Sequence, residues 1–221
     1  MLHKTRGIVF KFFKYRDTSI IAKIYTEEFG LQSYIVNGVR STKAKSKAAF
    51  FQPLTLLDLV VYKKPNTDIQ RISEIKCTYP LKNIPYDISK SSIAVFLTEV
   101  IYKSIKEDEA DALLFNFLDG SIKQFDELDN KNLNFHLIFL IKLTHYLGFG
   151  IEDTNQFLHI DNDKTHEQLE KLIAADYQDH IELNNSIRRL ILEDLIQFYR
   201  KHVDGMSELK SIDVLRTILG K

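Results

Sequence analysis

The hydrophobic pattern of this chain changes period once, near residue 80, and that change limits what each part can fold into. Before it, apolar residues recur at every second position in short runs. Beyond it they recur at i, i+3 and i+4 over long stretches. A period of two belongs to strands with one buried face, and a period of 3.6 to amphipathic helices. Charge changes sign at the same place. Residues 1–82 hold 15 Lys and Arg against 6 Asp and Glu, whereas residues 83–221 hold 15 against 24. The formal net charge of zero therefore conceals a basic part and an acidic part. So basic a part points to an anionic partner such as nucleic acid.

Five strands are expected in the basic part, over Gly7–Tyr15, Ile20–Tyr25, Leu31–Val39, Leu54–Tyr62 and Ile69–Thr78. Asp17-Thr18, Glu27 to Gly30, and Lys64 to Asp68 supply turns, and Arg40 to Lys47 reads as a basic loop. Short strands with a turn every ten residues or so form a small barrel rather than a βαβ unit, and an OB-type barrel has this strand number. Helices are expected from about Asp87 or Ser89 to Lys106, over Asp108–Phe125, Phe135–Leu147, His166–Ala175 and Asn185–His202, and from Ser207 to Leu219. The fold class is α+β and multi-domain: a five-stranded OB-type barrel over residues 1–80, then an all-α domain over 81–221.

Enzymatic patterns fail on inspection. His166-Glu167-Gln168-Leu169-Glu170 carries a glutamate where a zinc-protease helix needs its second histidine. Asp161 to Thr165 begins like a calcium loop but lacks the turn glycine and the closing carboxylate. There is no phosphate-cradling G-x-x-x-x-G-K-[ST] and no nucleophile elbow. Cys77 is the single cysteine, so a multi-cysteine metal site is excluded. No apolar run reaches the ~18 residues of a membrane span. A non-enzymatic, cofactor-free protein of the cytoplasm, associated with the nucleoid, is expected.

DNA-binding candidates are Lys11, Lys14, Arg16 and Lys23 on the first strands, with Arg40, Lys43, Lys45 and Lys47 in the basic loop. Small residues between the loop cations let an extended segment follow a phosphate backbone. The alternative is a loop that is merely soluble. Tyr15, Tyr25 and Tyr34 are the base-stacking candidates, against the alternative that they fill the barrel. In the acidic part, Arg188, Arg189, Arg200 and Lys201 flank an apolar stripe of Ile191, Leu192, Leu195 and Phe198. Such an arrangement suits an acidic peptide with a hydrophobic end, or else an ordinary bundle helix.

Several stretches together resemble the RecO family of bacterial recombination mediators. They are Thr5 to Phe10, Asp17 to Gly30, Asn37 to Arg40 with the lysine-rich loop after it, Gln52-Pro53-Leu54, and Lys210 to Leu215. The resemblance implies an N-terminal OB barrel, a C-terminal helical domain and a role in recombinational DNA repair. It further implies binding of single- and double-stranded DNA, annealing of complementary strands, and loading of recombinase onto coated strands together with RecR. The implied partners are DNA, RecR and the C-terminal tail of single-stranded-DNA-binding protein, which RecO proteins take on the helical domain. A four-cysteine zinc module found in many members has no counterpart between Gly148 and Asp163. The competing reading is an adaptor whose basic barrel docks an acidic protein.

Overall fold

The computed structural model describes residues 1–39, 45–65, 67–106, 109–129, 134–157, 163–206 and 208–219. Five strands, β1 (Leu2–Tyr15), β2 (Ser19–Thr26), β3 (Gly30–Val36), β4 (Leu56–Tyr62) and β5 (Ile69–Tyr79), close into a barrel in the order β1-β2-β3-β5-β4. All pairings are antiparallel except β3 with β5. Val9, Ile20, Ala22, Ile24, Tyr34, Leu57, Leu59 and Val61 fill the interior. A short α1 (Lys45–Ala48) and a 3-10 turn (Ala49–Phe51) follow β3, where the sequence reads as loop, and Phe51 is buried against the same core.

Among the described residues six further α-helices follow: α2 (Ile88–Ser104), α3 (Ala112–Glu127), α4 (Phe135–Tyr146), α5 (Asp163–Ala174), α6 (Asn185–His202) and α7 (Ile212–Leu219). Asp87 caps α2 by accepting from the Lys90 N–H at 2.8 Å. Helix α3 starts later than its periodicity indicates, because Asp111 caps it through the Leu113 and Leu114 amides. Its buried face is Leu114, Phe115, Leu118, Ile122 and Phe125, while Leu113 is 74% exposed. Helix α4 is buried nearly all round, as its composition requires. Gly148 ends the run with a φ of 84°.

The chain divides into two compact units, Met1–Leu81 with Ile105–Ile122, and Lys82–Ser104 with Lys123–Lys221. Segment 105–122 reads with the helices in the sequence but groups with the barrel. Its Phe115 ring lies 6.1 Å from Tyr25 and 4.8 Å from the Arg6 guanidinium carbon.

In the helical unit one carboxylate holds the start of α7. Glu99 accepts from Lys210 N at 3.1 Å, Ser211 N at 2.9 Å and Ser211 Oγ at 2.6 Å. Burial alone would push this carboxyl up, but the donors from Ser211 and Lys210, with Lys103 nearby, outweigh it and hold it below the ordinary range. A group depressed on folding adds stability above its unfolded pKa of ~4.3 and loses it as pH falls through the folded value. Glu99→Gln is therefore expected to lower the urea midpoint at pH 7, with the gap to the parent narrowing below about pH 4. Equal gaps at neutral and acid pH would mean that the carboxylate charge contributes nothing.

Candidate nucleic-acid and partner surfaces

The alternation of β1 and β2 sends one set of side chains into the barrel and leaves the other outside. Lys11 faces Lys23, Phe13 faces Ile21 and Tyr15 faces Ser19, and opposed residues project to the same side. Ala22 and Ile24 point inward and are fully buried. The outer side of this ribbon pairs cations with rings. The Lys11 ammonium is 5.3 Å from the Phe13 centroid, and the Arg16 guanidinium carbon 5.2 Å from that of Tyr15. Lys14 and Arg16 are exposed near the hairpin tip, where Arg16 takes a φ of 50° to make the turn. The four strand cations named from sequence thus share one ribbon.

The basic loop lies largely outside the described residues: Arg40 and Lys43 wholly, and Lys45 in its side chain. Lys47 is exposed on α1.

Two stacking candidates are corrected. Tyr34 points into the barrel and is fully buried. Tyr25 points away from the barrel core but is covered, with its ring between Phe10 at 6.0 Å and Phe115 of α3 at 6.1 Å. Its hydroxyl donates to the Asp111 carbonyl, and burial pushes its pKa up to about 12. Neither ring can meet a base. Tyr15 remains partly exposed.

Two clefts open on the barrel. One, of about 460 Å³, is lined by Glu27, Glu28, Asp58 and Glu74 beside Lys4, Arg6 and Lys76. Arg6 is neutralised there by Glu27 at 2.6 Å and approached by Asp119 at 3.8 Å. The Glu27 carboxyl sits below its ordinary range, chiefly through its hydrogen bond with Arg6. The other cleft, of about 500 Å³, carries Lys47, Phe50, Tyr62 and Arg71, and none of its described lining residues is acidic. The sequence does not single out Arg71 and Tyr62, since their juxtaposition depends on strand register.

In the helical unit Arg188 is also corrected. It is buried, donating to Asn134 Oδ1, Asn185 Oδ1 and the Leu183 carbonyl, and burial lowers its pKa. It ties the start of α4 to the start of α6 rather than facing a partner. Ile191, Leu192, Leu195 and Phe198 are buried too, so the stripe is core. Arg189, Arg200 and Lys201 are exposed. A pit of about 220 Å³ is lined by Leu192, Leu215 and Leu219 together with Arg189 and Arg216, which both pair with Glu193. Arg200 lines a separate cleft with Glu193 and Glu208. Among the described residues no cluster of His, Cys, Asp and Glu could hold a metal ion, and no helix is long and apolar enough to cross a membrane.

A closed five-stranded OB-type barrel with a basic ribbon, followed by a helical bundle, defines a class of two-part barrel proteins. Residues 1–81 match the family model "Recombination protein O N terminal", and residues 85–157 match "Recombination protein O C terminal". The chain is 35% identical to the DNA repair protein RecO of Bacteroides fragilis, with 99% of each chain covered. It is 34% identical to those of Phocaeicola vulgatus, again over 99% of each, and Flavobacterium psychrophilum, over 97% of this chain and 98% of the relative. The chain belongs to the RecO family of DNA repair proteins.

Proposed function

We propose that this protein is a recombination mediator that binds single- and double-stranded DNA, anneals complementary strands and helps load recombinase onto coated single strands. The observation that carries this reading is the β1–β2 ribbon, where Lys11 and Lys23 face each other on the outer side and Lys14 and Arg16 are exposed near the tip, on a barrel whose sequence is strongly basic. Annealing brings together two strands that repel each other, and cations that neutralise both speed their encounter without nucleotide hydrolysis. RecR and single-stranded-DNA-binding protein are the proposed partners. The acidic, hydrophobic-ended tail of the latter fits the pit beside Leu192 and Leu215, with Arg189 at its rim. Arg200 and Lys201 add positive charge on the same helix.

Replacing Lys11, Lys14, Arg16 and Lys23 together by Ala is expected to weaken binding about equally across DNA sequences. The logarithmic salt slope on single strands should fall by about 0.7 for each phosphate that the variant no longer neutralises. Titration at several salt concentrations, with an annealing assay alongside, measures both. An unchanged slope would move the DNA path off this ribbon. A parent protein with a shallow slope and no annealing would favour the adaptor reading, in which the basic barrel docks an acidic protein.

A further inference from the structure

We propose that unpaired bases of a single strand lie along one outward row of side chains that crosses the whole barrel, from Phe13 on β1 to Tyr62 on β4. This rests on the DNA-binding reading above and adds to it a path and a strand preference. The register defines the row: Phe13 faces Ile21, Ile21 faces Ile35, Ile35 faces Arg71 and Arg71 faces Tyr62. A parallel row runs beside it, with Lys11 facing Lys23, Lys23 facing Ser33 and Ser33 facing Ile69. Residues opposed across a ladder share a face, and the alternate positions Ala22, Tyr34 and Val61 are buried inside. Both rows therefore look outward.

Their composition does not fit an ordinary outer face. Phe13 is 50% exposed, and Tyr62 and Ile69 are each 40% exposed, although other residues already fill the barrel core. Rings at both ends, aliphatic side chains between them and Lys11, Lys23 and Arg71 alongside form a platform for base faces with cations for phosphates. Neither row contains a carboxylate. At the Arg71–Tyr62 end the row runs into the acid-free cleft, where Lys47 and Phe50 extend it. The other barrel cleft carries four carboxylates against three cations, one of them paired with Glu27, and offers a phosphate chain no such surplus of positive charge. Four strand spacings of about 4.8 Å make the row about 19 Å long. That accommodates about four nucleotides, the lower end of what an OB barrel covers. A duplex hides its base faces in its own stack, so the row selects unpaired bases.

The test compares the full chain with Phe13→Thr, Tyr62→Thr and Tyr62→Phe variants, each checked for folding by circular dichroism. Affinity is measured for an oligothymidylate and for a mixed-sequence duplex at one salt concentration. Phe13→Thr and Tyr62→Thr are each expected to weaken single-strand binding roughly tenfold while changing duplex binding far less. Tyr62→Phe retains the ring and should keep the parental affinity. Single-strand affinity unchanged in both threonine variants, or an equal loss on both ligands, overturns the path and leaves DNA binding itself standing. A parent protein that binds neither ligand overturns the DNA-binding reading and the path with it.

Discussion

Asp126→Ala is expected to destabilise the helical unit by about 4 kcal/mol, among the largest effects of any single substitution in the chain. Asp126 is fully buried. Its Oδ1 accepts from Asn83 N at 2.9 Å and Ile84 N at 2.8 Å, and its Oδ2 from Lys82 N at 2.8 Å. One carboxylate thus satisfies three consecutive amides where the chain enters this unit. The Asn83 side chain and the Lys90 ammonium both donate to the Asp126 carbonyl, which fixes the same junction a second time. Hydrogen bonds to a charged group contribute roughly 1.5–3 kcal/mol each, and an amide left buried without an acceptor costs about as much. Urea unfolding measures the loss. A change below about 1 kcal/mol would mean that water replaces the carboxylate at all three amides.

Gly30→Ala is expected to cost the barrel unit about 3 kcal/mol, against about 1 kcal/mol for Gly38→Ala. Both glycines have positive φ, 64° and 73°. An added Cβ at Gly38 meets nothing within 4 Å, whereas at Gly30 it collides with the backbone of Glu109. The pair separates the cost of a left-handed conformation, which both share, from the cost of a steric conflict that rigid backbone cannot relieve. Equal losses in thermal or urea unfolding would show that segment 109–111 yields to the methyl group.

Much of the architecture was legible because period and turn chemistry agree locally. Ile20, Ala22 and Ile24 alternate, and all three are buried in β2. Ile93, Phe96, Leu97, Val100 and Ile101 repeat at helical spacing, and all five are buried in α2. The site was less legible, for reasons visible at single residues. Tyr25 projects away from the barrel core, and one side of its ring is covered by Phe115, ninety residues further along, which local pattern does not reveal. Arg188 reads as a surface cation until Asn134 and Leu183 are brought to it by the fold. Tyr62 and Arg71 flank the loop of the β4–β5 hairpin, and only the register across that loop, shifted between Val60 and Val61, sets them side by side. Alternation assigns a residue to a face, but only register assigns it a neighbour.

The barrel is unevenly closed. Among the described residues β3 and β5 pair through Ser33–Ile69, Tyr34–Gln70 and Ile35–Arg71, whereas β1 with β4 and β2 with β3 are each in register over seven residues. Parallel pairing is also slightly weaker per residue than antiparallel. This seam is expected to open first, and hydrogen exchange should find the amides that bridge it exchanging ahead of the rest of the sheet. A strand of nucleic acid lying from Phe13 to Tyr62 crosses the same line. It would act as a hoop on a stave barrel, so that loading the surface also stiffens the wall, and slowed exchange of the amides that bridge the seam becomes a record of occupancy.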